Sequence, residues 1–259
     1  MLRLLAADLY RVLKDKRVFV IIAFHFALFV LNLTKFCTFP FIDYIGGDVV
    51  FRYRMIDIVK PETMALIYYL GTVDLLIATM VYAMFFFADD TRDKTFENMC
   101  TIYKSKSLVF ITNYITLCIT SLGFAVAKML GVSLVALVYG IDITIFDGIY
   151  NCIGVVTWLL ATATFIAVFY TAYIIFRNIY VPIVMLFGPL TVTFSPRFMD
   201  VLPFGDKLFK YCLLYLSMPS LGFDVTEWDL AFKWIVPLAA VTVVSLVISS
   251  VILEKRDVR

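Results

Sequence analysis

The sequence predicts an all-α polytopic membrane protein: six transmembrane helices, an N-terminal helix lying along the membrane surface, and a cytoplasmic helix after the second span. Three observations lead there. Hydrophobic residues make up 63% of the 259 and charged residues 16%, against about 45–50% and 25% in soluble domains, and the mean hydropathy of +0.95 agrees. Apolar runs recur at close to the ~20 residues that cross a ~30 Å hydrocarbon core. Lys and Arg gather in alternate connections, which fixes an orientation. The near-neutral net charge of +2 argues against a nucleic-acid partner. His25 is the single histidine, which excludes H-E-x-x-H and most catalytic triads, and the five cysteines form no C-x-x-C pair, so no disulfide framework or zinc site is implied.

Residues 1–17 come first. Leu2, Leu5, Ala6, Leu9 and Leu13 share one helical stripe, while Arg3, Ala7, Arg11 and Lys14 share another. That is the pattern of an interfacial helix with its apolar face in lipid and its cations at headgroups; the plainer reading is a topology signal only. No cleavage site follows the first apolar run, so this segment reads as retained rather than as a signal peptide. The spans are 18–33, 64–88, 107–132, 149–176, 178–194 and 234–253. A seventh crossing over 129–146 is a poor span, because Gly140 and Asp142 interrupt it, and it would separate the basic termini.

Counting cations in the connections gives 13 on the side of residues 1–17, 89–106, Arg177 and 254–259, and 8 on the other, where Lys35, Arg52 and Lys207 lie. The richer side is cytoplasmic and holds both termini. Of the outer segments, 34–63 and 195–233 are the largest, and Leu208, Phe209, Cys212, Leu213 and Leu216 in the second suggest helices dipping back into the membrane.

Inside the spans, Asp74 is an isolated acid about 15 Å along the second span. It reads as a residue lining a transport path or as a buried hydrogen-bonding group. Lys128 is its obvious partner, but counting rises along the two spans offsets them by roughly 10–15 Å, so it is assigned to the interface instead. Thr157, Ala161, Thr164 and Val168 form a small-residue packing seam. Pro182, Gly188, Pro189 and Pro196 mark kinks at or beyond the fifth span. The 25 Phe and 15 Tyr are read mostly as lipid-facing bulk and interfacial belt.

The most informative stretch is 89–106, a charged cytoplasmic segment without Gly or Pro. Phe96, Met99, Cys100 and Tyr103 recur at helical spacing as an apolar edge, against Asp90, Arg92, Asp93, Lys94 and Glu97 elsewhere. An apolar edge on a charged helix is a docking ridge for another protein; otherwise the segment merely links two spans.

Three pieces of the chain resemble type-2 ATP-binding-cassette exporter permeases: LLAADLYRVLKDKRVFV at the start, FADDTRDKTFENM after span two, and VILEKRDVR at the end. Where that family has a Gly before the Thr of its post-span-two motif, this chain has Lys94 before Thr95. The resemblance implies a permease subunit in the bacterial cytoplasmic (plasma) membrane, paired with a second copy or a homologous permease and driven by separate ATPase subunits that bind ATP. Asp89, Asp90, Arg92, Asp93, Thr95, Phe96, Glu97, Met99 and Tyr103 would then couple it to the ATPase, whose closure would push the 89–103 helix and tilt spans two and five. An antimicrobial or other amphipathic peptide is a substrate compatible with aromatic spans. No G-x-x-x-x-G-K-[ST] motif exists here, so ATP hydrolysis, and with it enzymatic activity, is expected on the partner rather than this chain. The competing class is a structural or sensory membrane subunit without a transport path.

Overall fold

The computed structural model describes residues 2–33, 39–45, 48–54, 63–65, 73–103, 105–138, 140, 142–144, 151–178, 180–181, 184 and 228–255. Among them, seven helices form the body of the protein: α1 (Leu2–Lys14), α2 (Lys16–Leu33), α3 (Val73–Arg92), α4 (Thr95–Tyr103), α5 (Lys106–Val138), α6 (Asn151–Phe176) and α7 (Trp228–Lys255). Parts of α5, α6 and α7 (Lys106–Val138, Trp158–Phe176 and Ile235–Lys255) are long and apolar enough to cross a membrane. Each matches a span expected from the sequence: α5 and α7 extend beyond the expected 107–132 and 234–253 at both ends, and α6 lies within the expected 149–176. At 1.5 Å per residue α5 is about 50 Å long; it holds no Pro to stop the helix.

The breaks between helices have local causes. Asp15 separates α1 from α2 and caps the latter, its Oδ1 accepting from the Arg17 amide at 2.9 Å. Ser105 caps α5 in the same way, accepting from the Leu108 amide at 3.2 Å. Between α3 and α4 the chain turns at Asp93 and Lys94, and Lys94 takes a left-handed φ of 51°. A continuous 89–103 helix is therefore overturned. Residues through Arg92 belong to α3, and only Thr95–Tyr103 form the separate short helix.

The start of the second span is also corrected. Thr63–Ala65 is a strand, β3, paired in parallel with β4 (Asp142–Thr144), and α3 begins at Val73 rather than 64. A hairpin precedes it: β1 (Phe39–Ile45) pairs antiparallel with β2 (Asp48–Arg54), from Phe39 opposite Arg54 to Ile45 opposite Asp48. These short strand pairs add to the helical body and were not anticipated. The expected fifth span, its prolines from Pro182 to Pro196, and the dipping helices of 195–233 lie outside the described residues, save 178, 180–181 and 184.

The core sits among α3, α5 and α6. Tyr82, Phe86 and Phe87 of α3 meet Phe110, Leu117 and Phe124 of α5, and Trp158, Phe165, Ile166, Phe169 and Tyr170 of α6. Phe87 stacks on Tyr170 and Tyr173 with ring centroids 4.5 and 4.7 Å apart, and Phe110 lies 4.8 Å from Tyr170. Offset aromatic packing of this kind adds about 0.5–1.5 kcal/mol per pair beyond area burial. A substantial share of the aromatic load is thus interior, where a lipid-facing role was expected. Helices α6 and α7 join along a hydroxyl seam: Thr164 Oγ1 lies 2.8 Å from Thr242 Oγ1, and Ser249 donates to Thr171 at 2.8 Å. Ala161 and Thr164 of the predicted seam are buried there, Thr171 extends it, and the side chain of Thr157 lies outside the described residues.

Candidate functional site: a polar junction at one end of the bundle

Six helices, α1 to α6, meet at the end of the bundle that carries α1. The inward face of α1 is Leu4, Asp8 and Val12, spaced one turn apart and all buried. Leu2, Tyr10 and Leu13 point outward, at 82%, 63% and 69% exposure. The apolar stripe foreseen for lipid is therefore free along Leu2, Ala6 and Leu13. Arg11 was assigned to the headgroups, and this is corrected: its Nη1 donates to Asp90 Oδ1 at 2.7 Å, and its guanidinium sits 4.6 Å over the Phe86 ring.

Asp90 is 5% exposed. Its other oxygen accepts from Asn113 Nδ2 of α5 at 3.2 Å, and the same amide donates to Tyr170 Oη of α6 at 3.1 Å. Beside it Asp89 pairs with Arg17, which also holds Asp15 through Nε at 2.8 Å. Arg17 further lies 5.2 Å from the Phe85 ring. One ion-paired layer thus ties α1 and the head of α2 to the end of α3. Burial, opposed by Arg11, raises the carboxyls of Asp8 and Asp90 to about 6. For Asp15 burial again works against the charge, but hydrogen bonds from Arg17 win and hold it below the usual range.

Helix α4 packs beside this layer. Cys100 is buried with Leu4 of α1 and Val109 of α5, and Phe96, Met99 and Tyr103 pack against them. The apolar edge read as a docking ridge for another protein is occupied by this chain's own helices. Asp89 and Asp90, read as contacts to a partner, likewise face inward. What the unit presents outward is Arg92, Asp93 and Lys94 at the turn, with Asn98, Thr101 and Ile102 on α4; Ile102 is 69% exposed. Arg92 and Asp93 pair with each other at 2.9 Å. Thr95 and Glu97 are half-buried.

The sequence reading missed Asp8, Arg11, Arg17, Asn113 and Tyr170 as members of one site. A signal was present: Asp8 is the single acid within 1–14, one turn from both Leu4 and Val12. The side chain of Asp74 lies outside the described residues; its backbone is the second residue of α3. Helices α3 and α5 run antiparallel, with Asp90 against Asn113 and Thr79 against Ser121 (3.1 Å). Carrying that register on brings backbone position 74 level with the stretch of α5 that includes Lys128, so the offset counted from the expected span ends does not hold. The difference arises because α3 starts later and ends later than expected. Among the described residues no cluster of His, Cys, Asp or Glu is arranged to hold a metal ion.

No family model matches this chain, and neither characterised proteins nor solved structures show a match to it.

Proposed function

We propose that this chain is the membrane-spanning subunit of an ATP-driven exporter resembling the type-2 ATP-binding-cassette permeases. In this reading it has six spans and works with a second copy or a related permease in a bacterial plasma membrane, with both termini on the cytoplasmic side. Separate ATPase subunits bind and hydrolyse ATP. The substrate class that suits the aromatic spans is an amphipathic peptide, antimicrobial peptides included, and Asp74 is the candidate residue of the path.

The observation that carries the reading is the α3–α4 unit. Its inner faces are fastened to α1, α5 and the core, while a charged turn and Ile102 stand free at its tip. A push on the Asp93–Lys94 turn enters α3 directly, since that helix runs unbroken from Val73 to Arg92, and reaches α1 and α2 through Arg11–Asp90 and Arg17–Asp89. A loop that merely linked two spans would need neither contact. The coupling surface is accordingly Arg92, Asp93, Lys94, Thr101 and Ile102, in place of Phe96 and Met99.

The test is ATP hydrolysis in the complex purified from its native membrane through a tag on this chain. Wild type is expected to bring down an ATPase. Ile102→Asp removes an exposed apolar contact and is expected to cut the recovered activity at least tenfold with an unchanged melting temperature. Equal recovery with Ile102→Asp would move the contact elsewhere. Absence of any ATPase from the wild-type complex would favour a structural or sensory subunit instead.

A further inference from the structure

The polar junction has one carboxylate too many. Arg11 serves Asp90, and Arg17 serves Asp15 and Asp89, with Arg92 3.6 Å from the other oxygen of Asp89. Asp8 remains. It is 4% exposed, and its Oδ2 is the one buried side-chain oxygen or nitrogen among the described residues with no hydrogen-bond partner. The charged and titratable groups around it are Arg11 on its own helix, Asp90 from α3 and Tyr170 from α6, with Asp89 beyond Arg11, while α5 contributes the neutral Asn113. Helix α2 adds Arg17, already held by Asp15 and Asp89. Helix α4 meets the same face of α1 one turn earlier, through Cys100 against Leu4, and burial pushes that thiol up to about 11, so it stays neutral.

We propose that Asp8 is a proton-operated latch: with its carboxyl protonated α1 is seated on α3 and α5, and loss of that proton loosens α1 from the bundle. Two buried carboxylates beside one guanidinium cannot both be ionised cheaply. Asp90 accepts from both Arg11 and Asn113, which favours its charged form. Asp8 Oδ2 accepts from nothing, so the proton resides on Asp8 and comes from and returns to water. Burial raises both carboxyls to about 6 from the ordinary 3.8. A raised acid binds its proton on docking, so the stabilisation is complete below about pH 4, declines as pH rises through about 6, and is absent above it. Asp15 has the opposite sign, and its contribution fails only below the ordinary 3.8, outside this window.

The measurement is amide hydrogen exchange of residues 2–14 in the full chain in lipid nanodiscs, corrected for intrinsic exchange, from pH 4.5 to 8. Protection is expected to fall about tenfold between pH 4.5 and about 6, with a midpoint near 5, and to stay level above that; the fall is less than the roughly hundredfold of a two-unit shift because α1 sits at the bundle's edge. Asp8→Asn, which mimics the protonated acid, is expected to be protected equally at both ends. Asp90→Asn frees Arg11 for Asp8 and is expected to lower the midpoint by at least one unit. A wild-type profile flat with pH would overturn the latch. So would an undiminished fall in Asp8→Asn or, if that variant does not fold, an unmoved midpoint in Asp90→Asn.

Discussion

At the scale of single residues, the Arg11–Asp90 pair decides how α1 is held. The Asp90 side chain is 5% exposed and the Arg11 side chain 29%, so neither a surface pair nor a fully buried one describes it. Arg11→Ala leaves a desolvated carboxylate whose sole remaining donor here is Asn113, and a loss of about 2–4 kcal/mol is expected, below the 3–5 of a fully buried pair. Replacing both partners, Arg11→Met with Asp90→Leu, is expected to restore most of that stability, since the cost lies in the orphaned charge rather than in the missing attraction. Thermal melts of the three variants in one detergent check this; equal melting of the single and double variants would show that the pair itself was the stabilising element. Both residues were visible in the sequence as parts of charged stripes. Their direction was not, because hydropathy turns every charge toward water or headgroups, and only a partner on another helix reverses that.

At the scale of elements, Lys94 is where the chain pays for ending α3. A left-handed φ of 51° costs a side-chain-bearing residue about 1 kcal/mol or more relative to glycine. Lys94→Gly is expected to raise stability by about 0.5–1 kcal/mol, whereas Lys94→Val, branched at Cβ, is expected to lower it by at least as much. Chemical denaturation of the two variants reads the difference, and opposite signs would mean that the turn is not left-handed. Helix existence was otherwise legible from apolar runs, and α1, α2 and α5 to α7 start within a few residues of expectation, apart from α7 at Trp228. The β1–β2 hairpin was not recognised, although alternation through FPFIDYI and DVVFRYR around Gly46 and Gly47 is a strand signal. A search for 20-residue apolar runs passes over period-two patterns. Equally, the apolar edge of α4 was legible as an edge, but which helix covers it is a tertiary fact.

At the scale of the whole molecule, the basic segments converge. Helix α1, the α3–α4 turn, the start of α5 and the end of α7 occupy one end of the bundle, with Ser107 donating to Glu254 at 2.7 Å and Leu253 packed in the same core as Val12 and Phe86. The C-terminal turn of α6 joins them, Tyr173 donating to the Phe87 carbonyl at 3.4 Å. The cation count assigned these segments to one side of the membrane without knowing that they touch, so loop charge carried real information about three-dimensional placement. Which side that end faces follows from the positive-inside rule, and it is expected to be cytoplasmic. Thr101→Cys, exposed on α4, reports it in a background without the other cysteines except Cys100. In intact cells a membrane-permeant maleimide is expected to label Thr101→Cys at least tenfold faster than Cys100, because burial pushes the Cys100 thiol up to about 11 and leaves it little thiolate. An impermeant maleimide added outside is expected to label neither until the cells are opened. Rapid labelling of Thr101→Cys from outside would invert the whole molecule, since α1, α4 and the ends of α3 and α7 would have to move to the outer face together, taking the proposed ATPase contact with them.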